Sequence, residues 1–408
     1  MKKVTHFCAG ILLIFALICG FVVDEPVTVY AAAGTFVQPY ADMIGQGGYI
    51  YYIRTSETDG SCGIWRMKVA TGKASKVVEE SGTIVKMAVC GQRLYYTAPN
   101  DNSGWEVRSC RLNGDDLQTV CGGVVCYANS ENIYCIRTVN ETQSRLYVKN
   151  IATGKNTSIR TVKAGQVLDY VGTVGNDSYY YIYDGKTDKL ALYRLHTATN
   201  QLIRIATEKR VVEDSNAVFQ VSDVRQIDGE LYYNFGSYEG SGNFWNGTIK
   251  KLTVDGKKKT VAKLVSDDQI IFGSRELYFT NPTGNNYKYN LKTGKKEQYS
   301  LKFEENISYT IFGDKTYMAD TSDRKKIVIS RFTSGTDRET LTKGFISIPF
   351  KQKSNVSYGV SLKQIGIYNM VCVTGRDYTD ASYGWRGKLV SIDWFITDGA
   401  GTLLGSFR

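Results

Sequence analysis

Leu94-Tyr95-Tyr96, a polar loop ending in Gly104-Trp105, the run Val107-Arg108-Ser109-Cys110 and the turn Asn113-Gly114 form the stretch that decides the fold, because it recurs. Its aromatic doublet returns as Tyr51-Tyr52, Ile133-Tyr134-Cys135, Tyr179-Tyr180-Tyr181, Leu231-Tyr232-Tyr233, Leu277-Tyr278-Phe279 and Thr316-Tyr317-Met318. The matching residues Tyr51, Tyr95, Tyr134, Tyr180, Tyr232, Tyr278 and Tyr317 stand 39 to 52 residues apart. Each doublet leads to a second alternating run, such as Ile64-Trp65-Arg66-Met67, Leu146-Tyr147-Val148 or Leu192-Tyr193-Arg194-Leu195. A turn then closes the unit, at Thr71-Gly72, Thr153-Gly154, Thr199-Asn200, Asp255-Gly256, Thr293-Gly294 and Ser334-Gly335. Gly and Asn suit these places because a tight hairpin requires positive φ, which penalises residues with a Cβ.

Period-two alternation in units of this length, each long enough for four short strands, predicts an all-β chain folded as a β-propeller of four-stranded antiparallel blades. One such sheet cannot bury both of its faces alone; packing each against two neighbours in a ring does so. A divergent eighth unit runs from Gly366 to Val373 and Lys388 to Thr397, with a turn at Asp398-Gly399 and a last strand from Thr402 to Phe407. The expectation is eight blades, with seven blades and a C-terminal cap as the alternative. Forty Gly and 29 Tyr against 5 Pro in 408 residues agree with many short strands joined by tight turns. No long helical pattern or Pro/Ser-rich linker interrupts residues 34–408, which read as one domain.

Residues 1–33 read as a signal peptide: Lys2 and Lys3, an apolar run from Phe7 to Val23, and small residues ahead of a cut after Ala31 or Ala33. An uncleaved anchor is the competing reading. Export follows from either, to the cell surface or the extracellular space, with membrane contact only through an uncleaved segment. The net charge of +10 fits attraction to an anionic surface, and export argues against nucleic acid. Seven cysteines follow the leader, and six of them, Cys62, Cys90, Cys110, Cys121, Cys126 and Cys135, are close enough in sequence for one or two local disulfides. Cys372 stands apart. No CxxC spacing occurs and the chain has two histidines, so neither a metal nor another cofactor is expected.

Candidate chemistry is sparse. His196, at the end of a strand-like run, has no nucleophile elbow beside it. The Thr-Gly-Lys turns at Thr71, Thr153 and Thr293 lack the tryptophan that quinone-dependent propeller enzymes place after them. Ser56 to Trp65 has the ingredients of a sialidase box at the wrong spacing. Tryptophan is more informative: Trp65, Trp105, Trp245 and Trp385 all end the loop between the second and third strands of their units. That loop faces the usual ligand entrance of a propeller. Tyr238 and Phe244 join Trp245, and Tyr378 and Tyr383 join Trp385, in the two longest such loops. Flat rings stack on sugars and anchor protein partners, so these eight residues are the candidate ligand-binding set; packing between blades is the competing role. Basic runs at Lys257-Lys258-Lys259, Lys295-Lys296 and Arg324-Lys325-Lys326 suit an anionic polymer or a solvated face.

The rhythm Leu-Tyr-Tyr (Leu94, Leu231), Leu-Tyr-Arg-Leu (Leu192) and Thr-Gly-Lys (Thr71, Thr153, Thr293) across residues 35–342 resembles the exported TolB/YWTD-like β-propeller repeat proteins of Gram-positive bacteria. The resemblance implies a secreted or surface-held binding scaffold and brings no catalytic residues with it. The functional expectation is a non-enzymatic scaffold that recognises a glycan, a cell-wall polymer or a surface protein through its loop face. The alternative is a polysaccharide hydrolase or lyase working in the central channel.

Overall fold

The alternating runs become strands in the computed structural model, which describes residues 43–55, 62–101, 104–140, 143–210, 219–239, 244–264, 270–272, 276–281, 283, 285–298, 307–312, 315–333, 342–365, 368–379, 388–398 and 402–407. The expected leader, residues 1–33, lies outside these, as do Tyr383 and Trp385. Every regular element among the described residues is a strand, and the strands form eight four-stranded antiparallel sheets. Sheet one spans residues 43–80, sheet two 86–122, sheet three 124–162, sheet four 166–209, sheet five 219–264, sheet six 270–298, sheet seven 307–349 and sheet eight 356–407. Each uses four successive strands laid side by side in chain order.

First strands of successive sheets touch from sheet one to sheet five and from sheet six to sheet eight, and the first strand of sheet eight (Val356–Ile365) touches that of sheet one (Met43–Gln46). Ile227, Ile249 and Leu264 of sheet five pack on Leu277 and Phe279 of sheet six. The sheets therefore form a closed propeller ring with their first strands innermost. The turns between third and fourth strands take the backbone expected of them. Gly72, Gly114, Gly154, Gly256 and Gly294 have φ between 64° and 98°, and Asn200 has 58°.

The tyrosine doublet has a simple cause. Neighbours in a strand point to opposite faces, and in a ring both faces of a sheet are covered. Tyr51 and Tyr52 are accordingly both buried, as are Tyr95 and Tyr96. One member reaches forward: the hydroxyls of Tyr51, Tyr134 and Tyr232 donate to the carbonyls of Leu112, Thr197 and Leu291 in the following sheets. The other reaches back: Tyr96 and Tyr233 donate to Glu80 and Glu208 in the preceding sheets, each at 2.7 Å. Each such bond contributes about 1 kcal/mol beyond the burial of the ring.

Apolar clusters fill the spaces between sheets. Ile327, Ile329 and Ile348 of sheet seven pack on Val371, Val373 and Phe395 of sheet eight. The ring closes where Ile50, Tyr52 and Met67 of sheet one meet Met370 and Ile396 of sheet eight. Among the described residues each strand stays within its own sheet, and side-chain packing joins sheets one and eight. The local disulfides expected from cysteine spacing are not formed: none of the seven described cysteines is in a disulfide. Most serve as small apolar fillers, with Cys62 and Cys110 inside the packing between sheets one and two and Cys126 inside that between sheets three and four.

Candidate functional site

The aromatic candidates occupy different surroundings. Trp65 is half-buried against the seam, with Arg54 5.5 Å and Lys76 5.6 Å from its ring centre. Trp105 opens the third strand of sheet two (Trp105–Arg111) and is 40% exposed. Tyr378 follows the second strand of sheet eight (Tyr368–Asp377) and is also exposed. In sheet five the backbones of Tyr238 and Trp245 pair across the hairpin, with Glu239 opposite Phe244; the side chains of Tyr238, Phe244 and Trp245 lie outside the description. Trp65, Trp105 and Tyr378 belong to sheets one, two and eight, neighbours in the ring.

His196 bonds through Nδ1 to Asp177 Oδ1 at 2.9 Å, across paired strand ends, with no hydroxyl or thiol partner among the described residues. The basic runs are partly engaged. Lys258 holds Glu208 at 3.1 Å, Lys295 pairs with Glu297 at 2.9 Å, and Lys296 lies 3.9 Å from the ring centre of Tyr287. No group of three metal-ligating side chains occurs among the described residues.

A site that sequence reasoning missed lies between sheets two and three. At the interface of sheets one and two, buried Glu80 receives Tyr96 and Arg108. At that of sheets four and five, Glu208 receives Tyr233 and Lys250 in the same way. Strand register places Gly123, Cys135 and Tyr147 at the corresponding positions between sheets two and three. Glycine is required there, since a Cβ on Gly123 would come within 2.6 Å of the Ile136 carbonyl and φ is 110°. With no carboxylate to fill the interface, a groove of about 520 Å³ remains.

Alternation along the third strand of sheet three (Gln143–Asn150) puts Arg145, Tyr147 and Lys149 on the groove wall. Arg137 on the second strand stands directly opposite Arg145. Like charges so opposed are unfavourable, which makes the pairing an unusual choice for stability alone. Among the described residues Arg137 and Lys149 make no ion pair, Arg145 donates to Thr161 Oγ1 at 3.2 Å, and no carboxylate lines the groove. Trp105 is tied to Gly123, its carbonyl accepting the Gly123 N–H at 2.7 Å.

Cys121 lines the groove and Cys135 lies behind it, their Sγ atoms 3.6 Å apart. Cys121 is half-buried and reaches the groove, whereas Cys135 is fully buried. The hydrogen bond from Cys135 lowers the Cys121 pKa to about 7 against the opposing effect of burial, helped by Tyr147, Lys149 and Arg137. Burial and the Cys121 thiolate push Cys135 well up. Alkylation of Cys121 is expected to rise with pH to half its maximum near 7, while Cys90, raised by burial, responds only in the alkaline range. Rates of iodoacetamide labelling read by peptide mass check this; matched profiles for the two thiols would contradict it.

No protein-family model matches the chain, and no curated protein matches its sequence. Solved structures do share its fold. Dipeptidyl peptidase 4 from Porphyromonas gingivalis aligns with a TM-score of 0.50 and 9% identity, covering 94% of this chain and 60% of that one. BamB from Moraxella catarrhalis aligns over 85% of this chain and 96% of its own at 10% identity and a TM-score of 0.48. TolB from Acinetobacter baumannii covers 70% and 77% at 13% identity and a TM-score of 0.31. At such identities the likeness is one of fold, and this chain spans about three fifths of the peptidase's length.

Proposed function

We propose that the protein is an exported, non-enzymatic binding propeller, its eight sheets serving as eight blades, that holds an anionic glycan or wall polymer. The observation that carries this reading is the wall of Arg137, Arg145 and Lys149, three cations facing a groove that no described carboxylate enters. Guanidinium groups suit carboxylate and phosphate because their donors form a planar fork. Trp105, 40% exposed on sheet two, supplies aromatic surface for a sugar ring. Export rests on Lys2, Lys3 and the apolar run from Phe7 to Val23. The remaining aromatics, Trp65, Tyr238, Phe244, Trp245, Tyr378, Tyr383 and Trp385, extend the contact surface around the loop face in this reading.

Binding of the protein to an acidic polysaccharide, with a neutral one as control, tests it. Arg145→Ala is expected to weaken acidic-polymer binding about 10- to 100-fold, the effect of one charged hydrogen bond of about 1.5–3 kcal/mol. Added salt should weaken it further, since screening at physiological ionic strength acts over about 8 Å. Equal binding to both polymers, unaffected by Arg145→Ala, would remove the groove from the function.

A further inference from the structure

We propose that Cys121 and Cys135 are a redox pair, whose oxidation by a small disulfide such as glutathione disulfide joins the fourth strand of sheet two to the second strand of sheet three. The inference stands on the sulfur geometry and goes beyond the binding reading without depending on it. The two sulfurs are 3.6 Å apart, on different sheets, with no backbone between them.

The two positions divide the work. Cys121 opens to the groove and is the thiol a small oxidant can reach. Lys149 and Arg137 face it and favour its thiolate, as does the hydrogen bond from Cys135. Cys135 is shielded from solvent, so it meets only a partner already attached to Cys121. Cys126 is close in sequence but lies on the opposite face of sheet three, in the packing against sheet four, where burial pushes its thiol up to about 12. It is a bystander.

The chemistry balances in two exchanges. The Cys121 thiolate attacks one sulfur of glutathione disulfide, forming a mixed disulfide as the S–S bond of the reagent breaks and one glutathione thiolate leaves. Cys135 then attacks the Cys121 sulfur, its proton passing to the second departing glutathione. The pair loses two electrons and two protons, and glutathione disulfide becomes two molecules of glutathione. The lowered pKa of Cys121 raises its thiolate fraction at neutral pH above that of an ordinary thiol. Lower basicity takes back part of that gain, since thiolate nucleophilicity falls with thiol pKa with a slope of about 0.4–0.5 per pKa unit.

The test titrates the reduced protein with glutathione disulfide at neutral pH, quenches with acid, alkylates and digests with trypsin. Cleavage after Arg111 and Arg137 leaves Cys121, Cys126 and Cys135 on one peptide. The expected product is that peptide lighter by two hydrogens, with a single alkyl group on Cys126, returned to three alkyl groups by dithiothreitol. Cys135→Ser should stop at one glutathione on Cys121, and Cys121→Ser should leave Cys135 reduced and open to alkylation after unfolding. A wild-type peptide carrying three alkyl groups across the whole titration would overturn the proposal. So would a linkage that includes Cys126, or a Cys135→Ser protein whose Cys121 gains no glutathione.

Discussion

A chain shortened to end at Phe350, without sheet eight, is expected to lose its cooperative unfolding transition. Sheet eight covers two apolar faces at once. On one side it meets Ile327, Ile329, Ile346 and Ile348, and on the other Ile50, Tyr52 and Met67. Exposing each such side chain costs about 1.5–3 kcal/mol, and a handful already exceeds the 5–15 kcal/mol that holds a typical domain folded. Circular dichroism during a urea titration reads the result. A C-terminal cap on a ring of seven would leave a sharp transition, so survival of one would reverse the assignment of sheet eight to the ring. Ile396→Ala, fully buried at the seam, is the milder version and should cost about 2–5 kcal/mol.

Glu208→Ala is expected to lower stability by about 3–5 kcal/mol, the cost of breaking one side of a buried ion pair. Glu208 is 5% exposed and receives Tyr233, Lys250 and Lys258. Removing the carboxylate leaves two ammonium groups and a hydroxyl without their common acceptor. The neighbouring case supplies an internal control. Glu80 is buried under Tyr96 and Arg108, while Glu79 points outward to Lys76 with 62% of its side chain exposed. Glu79→Ala should therefore change stability by no more than about 1 kcal/mol. If both substitutions shift the urea midpoint equally, the buried clasp contributes nothing special.

The Glu208 clasp also sets a pH dependence. Burial alone would raise the carboxyl's pKa, but the hydrogen bonds from Lys250, Tyr233 and Lys258 outweigh it and hold the group below its usual value. A depressed folded-state pKa contributes stability that is fully present above the unfolded value of about 4.3. That contribution is lost as pH falls through the lower folded value. Glu208→Gln should flatten the acid side of the stability profile while leaving its alkaline side in place.

The ring was legible from residues because its cause is local and repeated. Tyr51, Tyr134 and Tyr232 recur since each faces the following sheet, and Gly114 or Asn200 recurs since each turn requires positive φ. The eight aromatic candidates were legible as residue types, but a ring's exposure depends on its neighbours, and Trp65 and Trp105 differ in that respect. The groove was hidden for another reason. It exists because Gly123 stands where Glu80 and Glu208 stand in other interfaces, and only strand register between two sheets reveals an omission of that kind. One signal was present in Arg145-Leu146-Tyr147-Val148-Lys149, where two cations and an aromatic share a face at period two. Cysteine spacing misled because most of these thiols fill apolar gaps rather than face a partner.

Since the described faces of sheets one and eight meet through side chains far apart in the chain, synthesis imposes a waiting period on the nascent chain. Ile50 and Met67 emerge first from the ribosome, yet the residues that shelter them, Met370 and Ile396, are among the last to be made. Throughout elongation the earliest sheet keeps a sticky flank uncovered, and it is this flank, rather than any later one, that a holding chaperone would need to grip.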